Sequence, residues 1–322
     1  MTPSRSSIQS LMASTDATAA LVHDALLYES TEDFVRGTCA FIAEGLRQDE
    51  PVMVAVPGDR IPHLRLALGA DAERVDFADM TELGRNPARI IPALRAWLDQ
   101  HPDRRTRFVG EPIWAGRTRD EVAEATWHEG LLNLAFADTP TSILCPYDVR
   151  RLDPSALSGV ACTHPTLVEG DRRHASTGYL EPACDIAGPD WPLPDVPAGA
   201  QVIPITRELR RVREAVQEQA AALGLSRLRT ADLLVAVNEA ATNSLVHGAP
   251  PAVLRVWRDG DDLVCEISDA GLITDPLVGR QRPDTAQEGG RGLWLIHQLC
   301  DLSQLRSDAS GTTLRLHMHR DG

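Results

Sequence analysis

Glu239, Asn243 and His247 follow one another at four-residue intervals, so in a helix they share one face. A carboxylate and a carboxamide one turn apart suit a metal–phosphate site. The amide oxygen can serve as a hard ligand, and the carboxylate as a base or a holder of water. Alone, such a stripe reads first as a solvated polar face. Three further segments stand beyond it. Asp269-Ala270-Gly271 ends an apolar run, where a carboxylate can accept the exocyclic amino proton of adenine, although Asp and Gly also simply make turns. Glu288-Gly289-Gly290-Arg291-Gly292 opens directly into an apolar helix starting at Leu293, an arrangement that offers backbone N–H groups to phosphate oxygens. Ser310-Gly311-Thr312-Thr313 supplies hydroxyls at the start of a last strand. Each signal is modest; the four in this order point to a nucleotide.

The elements that must position them can be read from periodicity. Leu233, Leu234, Val237, Ala241 and Leu245 recur at helical spacing and mark the apolar stripe of a helix over Arg227–Val246. A strand near Val202–Ile205 and a helix over Arg207–Leu223 precede it. Strands Ala252–Arg258 and Asp262–Asp269 follow, joined at Asp259–Gly260 as a hairpin turn. A helix from Arg291 and strands Leu302–Ser307 and Thr312–His317 complete an α+β sandwich with helices on one face of a largely antiparallel sheet.

Upstream, strands near Ala25–Tyr28, Pro51–Val56, Val75–Phe77, Arg107–Val109 and Thr141–Cys145 alternate with helices over Thr31–Gln48, Ile61–Leu68, Pro87–Gln100 and Thr118–Ala137. That alternation predicts an α/β domain built on a parallel sheet. Five prolines between Glu181 and Gly199 exclude helix and central strand and mark a spacer. The expected division is therefore a flexible N-terminus (1–20), an α/β domain (21–181), a proline-rich linker (182–198) and an α+β domain (199–322).

The chain has 322 residues, with 46 Asp plus Glu against 32 Lys plus Arg, and a net charge of −14. All the basic residues are arginines, so lysine Schiff bases and the lysine of a Walker phosphate loop are excluded. The acidic balance argues against direct nucleic-acid binding. Six scattered cysteines without a CxxC pair suit reduced thiols in the cytoplasm, and no run of about 20 apolar residues predicts a membrane span. His23, Glu111, His128, Glu129, Cys145 and His164 are possible ligand types, but they lack metal-ligand spacing and are read as structural. Tyr28, Trp114, Trp127 and Tyr147 are read first as core aromatics.

Residues 199–322 resemble the GHKL ATP-binding fold, and most closely the anti-sigma-factor serine kinases of partner-switching systems. Glu239 to Gly248, E-A-x-x-N-x-x-x-H-G, resembles the N-box of that family. The resemblance implies ATP and Mg2+, with Glu239 as general base or water-orienting residue and Asn243 as the magnesium ligand. It places Asp269 and Gly271 in the adenine box and Gly289, Gly290, Arg291, Gly292 and Leu293 at the hinge of the ATP lid. Thr312 or Thr313 would close the adenine pocket, and His247 would stand beside the nucleotide. It further implies phosphorylation of a Ser or Thr on an antagonist protein, sequestration of a sigma factor, and a homodimer. Two features depart from the family: Gly271 is followed by Leu272-Ile273 rather than a further glycine, and the lid from Thr274 to Glu288 is short and rich in Pro and Arg. The alternatives are a non-catalytic nucleotide-binding interaction module and a remnant of a histidine kinase, though Arg207–Leu223 contains no phospho-accepting histidine.

The N-terminal part resembles the MEDS family, a sensory module related to KaiC-like ATPases of the RecA type. The resemblance rests on His23–Tyr28, the run Phe41–Val56, Leu144–Asp148 and Thr163-His164-Pro165. It implies signal sensing and leaves the ligand open, a small molecule being one candidate. Val54–Asp59 stands where a phosphate loop would be but lacks the G-K-[ST] ending, so ATP hydrolysis is not expected there.

Overall fold

A computed structural model describes residues 21–180, 192–283 and 290–320. Among them are two sheets. The first has seven strands in the order β3-β2-β4-β5-β1-β6-β7. Its members are β1 (Val22–Tyr28), β2 (Val52–Val56), β3 (Val75–Asp79), β4 (Thr106–Gly110), β5 (Thr141–Asp148), β6 (Thr166–Glu169) and β7 (Arg172–Ala175). Every pairing is parallel except the β6–β7 hairpin. Strands β2, β4 and β5 are buried along their whole length, as expected of a parallel sheet covered on both faces. The antiparallel β6–β7 hairpin extends this parallel sheet, and Arg173 ties it to the centre with two hydrogen bonds to Asp24, at 3.0 and 2.9 Å.

Helix α1 (Thr31–Arg47) follows β1 and buries Phe34, Thr38, Ile42 and Leu46 on one stripe. Its N-terminus is capped by Ser30, which accepts from Asp33 N–H. After α2 (Ile61–Leu68) and the short α3 (Met80–Leu83) comes Pro87–Gln100. Sequence periodicity assigns this stretch to one helix; it splits into a 3-10 turn at Pro87–Arg89 and α4 (Ile90–Leu98) because Asn86 caps the first turn. Helix α5 (Arg119–Ala135) opens with a capping box between Thr118 and Glu121. Helix α6 (Pro154–Thr163) leads to β6; neither it nor the hairpin announces itself by periodicity.

The second sheet is antiparallel throughout, in the order β11-β12-β10-β9-β8. It contains β8 (Gln201–Pro204), β9 (Val253–Asp259), β10 (Asp262–Asp269), β11 (Leu302–Asp308) and β12 (Gly311–His319). The β9–β10 turn is Gly260-Asp261, one residue later than the sequence reading. Asp259 pairs with Asp262, and Gly260 takes the left-handed conformation at φ 60°. Helices α7 (Arg210–Leu223), α8 (Arg227–Val246) and α9 (Arg291–Leu299) cover one face. Leu233, Ala236, Val237, Ala240 and Ala241 of α8 enter the core with Leu254, Leu263, Ile267 and Leu316. Leu245, read as part of that stripe, is 38% exposed. The α/β domain and the GHKL-type sandwich are thus both present. Of the assignments read from the sequence, the flexible N-terminus (1–20), linker residues 182–191, and residues 284–289 of the lid and its hinge lie outside the described residues.

Candidate nucleotide site

The polar face of α8 meets the N-terminus of α9 at Gly292. A methyl group added to Gly292 would sit 3.0 Å from both Asn243 Nδ2 and Glu239 Oε2, a tight contact that these side chains would have to relieve, so the two helices approach closely here. Gly290 caps α9 in the left-handed region, φ 77°, and among the described residues no side chain caps the helix. Its first amides therefore face a carboxylate and a carboxamide across a narrow gap, the geometry that suits phosphate oxygens and a hard cation.

The far wall is Asp269, at the end of β10. Ser244 Oγ donates to its Oδ2 at 2.6 Å, while the amides of Gly271 and Ala249 donate to Oδ1 at 2.7 and 3.3 Å. Two glycines crowd this carboxylate and a third crowds the Asp269 backbone carbonyl. A Cβ on Gly248 would lie 2.5 Å and one on Gly271 2.7 Å from Asp269 Oδ1; one on Gly311 would lie 2.3 Å from the Asp269 carbonyl oxygen. The close backbone approach thus fixes where the carboxylate points. Thr312 Oγ1 donates to Gly271 O at 2.9 Å and lies 2.7 Å from Ser307 Oγ.

Between these walls is a cavity of about 220 Å³. Asn243, His247, Asp269, Gly271, Gly290, Gly292, Leu293 and Thr312 all line it, together with Ile267, Val278 and Leu314 on its apolar side. Glu239 does not line it, although its Oε2 lies 3.0 Å from where a Cβ on the lining residue Gly292 would be. Arg291 is exposed at the start of α9 and does not line the cavity. Thr313 does not line it either, because strand alternation turns it to the opposite face from Thr312. Gly289 lies outside the described residues. Sequence reasoning missed Ser244, whose i+1 position beside Asn243 hides its role, and the apolar wall of Ile267 and Leu314.

The α/β domain reaches this site from behind. Asn86, fully buried, directs its Nδ2 to His297 O, Cys300 O and Ser303 Oγ at 2.9–3.3 Å, at the C-terminal end of α9. Beside it, Arg306 of β11 pairs with the buried Glu124 of α5 at 2.7 Å. Burial pushes the Glu124 carboxyl up against the pull of Arg306 and Arg280. Burial likewise lowers Arg280 to about 10, opposed by Glu124. A second cavity, about 810 Å³, opens between the two sheets and is lined by Trp114, Arg117, Arg151, Asp153, Pro194 and Arg306 among others.

Within the α/β domain, Arg60 enters the place read as a degenerate phosphate loop, 3.3 Å from Glu111 and 3.6 Å from Asp148. Tyr28 donates to Glu111 at 2.8 Å, and burial raises Glu111 to about 8 despite Arg60. Of the ligand-type residues read as structural, Glu111 and His128 stay apart from the rest. His23, Glu129, Cys145 and His164 converge, with donor atoms within 4.8 Å of one another. Tyr28 and Tyr147 are core residues, whereas Trp114 borders the larger cavity.

Known proteins fall into line with these two halves. Residues 22–165 match the MEDS family, described as the MEthanogen/methylotroph, DcmR Sensory domain. Residues 205–318 match the histidine kinase-like ATPase domain. No curated protein matches the chain. Among solved structures, the RsbU and RsbW domains of Rv1364c from Mycobacterium tuberculosis are 22% identical, with a TM-score of 0.29, over 38% of this chain and 33% of that one. This chain thus spans about a third of that relative's length (33%), and nothing of its activity is carried over. The chain joins a MEDS domain, residues 22–165, to a histidine kinase-like ATPase domain, residues 205–318.

Proposed function

We propose that this protein is a cytoplasmic partner-switching regulator. Its ATPase domain binds Mg-ATP, phosphorylates a Ser or Thr of an antagonist protein and sequesters a sigma factor, all under control of the MEDS domain. The observation that carries the reading is the closure of Gly292 onto Glu239 and Asn243, opposite the Asp269 cradle.

The residues present fit the nucleotide. Asp269 lines a pocket with apolar walls suited to a purine, and the N-terminus of α9 would meet the phosphates beside Asn243. Asn243 would hold the magnesium ion, which neutralises phosphate charge when bound. Glu239 lies within reach to orient the attacking hydroxyl and take its proton. Phosphoryl transfer needs mainly positioning and charge stabilisation, so this small set suffices without a lysine.

Control from the MEDS domain would run through α9. Asn86 holds its C-terminal end and Gly290–Gly292 form its N-terminal end, about 13 Å away for nine residues. A small molecule in the cavity beside Trp114 and Arg306 would shift the Glu124–Arg306 pair and, with it, the seating of α9.

The test is labelling of extract proteins from the source cells with γ-labelled ATP. The account expects acid-stable label on a small protein, lost with Glu239→Ala while ATP binding persists. A Glu239→Ala protein that labels as well as wild type would leave the non-catalytic module as the reading. Acid-labile label on the protein itself would favour the histidine-kinase remnant.

A further inference from the structure

His23 of β1, Glu129 of α5, Cys145 of β5 and His164 at the C-terminal end of α6 meet in the interior of the MEDS domain. All four are buried, the histidine and glutamate side chains to within 1%. Four of the donor-atom separations are short. Glu129 Oε2 lies 3.1 Å from His23 Nε2, 3.3 Å from Cys145 Sγ and 3.4 Å from His164 Nε2, and Cys145 Sγ lies 3.4 Å from His23 Nε2. A tetrahedral ion with bonds of about 2.0–2.3 Å sets its ligand atoms roughly 3.3–3.7 Å apart. Three of these distances fall within that range and the fourth, 3.1 Å, lies just below it, with all the donor atoms within 4.8 Å of one another.

The ring protons point the same way. His164 Nδ1 lies 2.9 Å from Val160 O, and a carbonyl only accepts, so the proton sits on Nδ1. His23 Nδ1 lies 3.0 Å from Asn133 Oδ1. The Asn133 amide group donates to Thr163 O at 2.7 Å and to Glu129 O at 3.4 Å, which orients its oxygen toward His23 and places that ring's proton on Nδ1 as well. Both Nε2 lone pairs therefore face a carboxylate and a thiol. His164 Nε2 and Glu129 Oε1 make no hydrogen bond, although both are buried. Three acceptors converge on one S–H, an arrangement that is unfavourable in a dry interior without a cation. Outer partners that donate to a backbone carbonyl or amide oxygen are the usual orienting shell of metal-binding histidines.

We propose that His23, Glu129, Cys145 and His164 bind one divalent transition-metal ion of the zinc class. The N2SO donor set and the closed, four-sided cage suit tetrahedral Zn2+ and leave no position for a substrate, so the ion is a staple between the two central strands and the helices on one side of them. Binding releases the Cys145 thiol proton to solvent. The assignment is independent of the phosphoryl-transfer reading.

The test uses the full chain, stripped with a chelator, shown to be folded by circular dichroism, and titrated with Co2+. The expected result is about one equivalent bound, with the strong visible bands of a tetrahedral ion and a near-ultraviolet thiolate charge-transfer band, both reversed by Zn2+. In Cys145→Ser the charge-transfer band is lost, and affinity falls at least as far as the roughly 10–100-fold typical of an outer-shell change. His164→Gln weakens binding without removing that band. Should these variants fail to fold, the stoichiometry and the thiolate band of the wild type decide alone. A folded wild type that takes up no Co2+, or binds it with an octahedral spectrum lacking the thiolate band, overturns the proposal. So does a spectrum unchanged in folded Cys145→Ser.

Discussion

The two domains gather polar side chains in opposite ways. In the ATPase domain, Asn243 and Asp269 border an open cavity, and glycines at 248, 271, 292 and 311 keep the backbone close around these residues and Glu239. In the MEDS domain, His23, Glu129, Cys145 and His164 are shut inside the packing of strands and helices. An open wall of fixed donors suits a ligand that comes and goes. A sealed set of lone pairs suits a resident ion, since any exchange must open the core. The first site works by the space glycine leaves, and the second by the absence of any space at all.

The sharpest way to break that comparison is Gly292→Val. Its side chain would press on Asn243 and Glu239, an overpacking cost of about 1–3 kcal/mol, so nucleotide affinity should fall roughly 10–100-fold. Calorimetry with ATP reads this, and Co2+ uptake by the same variant should be unchanged. Loss of both would show that the two regions do not act separately.

Acid tests the packing of the ATPase domain next. Burial lowers His317 to about 4 and His297 to about 3, so both are neutral in the folded ATPase domain but take up protons when it unfolds. Their folded pKa values lie below the unfolded value of about 6.5. Stability is therefore fully present above pH 6.5 and drains away as pH falls toward 4, by up to about 3 kcal/mol for His317. Thermal unfolding followed between pH 7 and pH 4.5 should show Tm falling. His317→Gln, which keeps a partner for Gln304, should flatten that slope, and an unchanged slope would show that His317 does not titrate between the two states.

The smallest effect sharpens the wall of the cavity. Thr312→Val removes the hydroxyl that donates to Gly271 O and should cost about 1 kcal/mol, or roughly fivefold in ATP affinity. Thr313→Val, on the other face of β12, should change affinity less than about twofold. Equal losses would place the nucleotide elsewhere.

What could be read from the sequence follows from the same contrast. Glu239, Asn243 and His247 sit on one helix, and Asp269 and Gly271 in one turn, so local spacing revealed them. Helix and strand periodicity likewise gave most elements of both sheets, because their apolar faces repeat within a few residues. The choice of Thr312 over Thr313 needed the strand's register. The cluster in the MEDS domain had no local signature. His23, Glu129, Cys145 and His164 come from four elements and meet only because β1 lies beside β5 in the sheet. Glu129 next to His128 looked like a pair pointing apart, and it is; only Glu129 turns toward the cluster. Asn86 was hidden for the same reason, since its partners lie more than 200 residues away.

The central claim is that Asp269, Asn243 and the α9 N-terminus form one nucleotide site. Calorimetric titration of the full chain with ATP, with and without Mg2+, tests it most directly against Asp269→Asn and Asn243→Ala. The account predicts Mg-dependent binding in the wild type, its collapse in Asp269→Asn, and binding without Mg2+ dependence in Asn243→Ala. A wild type that binds no ATP, or an Asp269→Asn protein that binds it unchanged, would contradict the account.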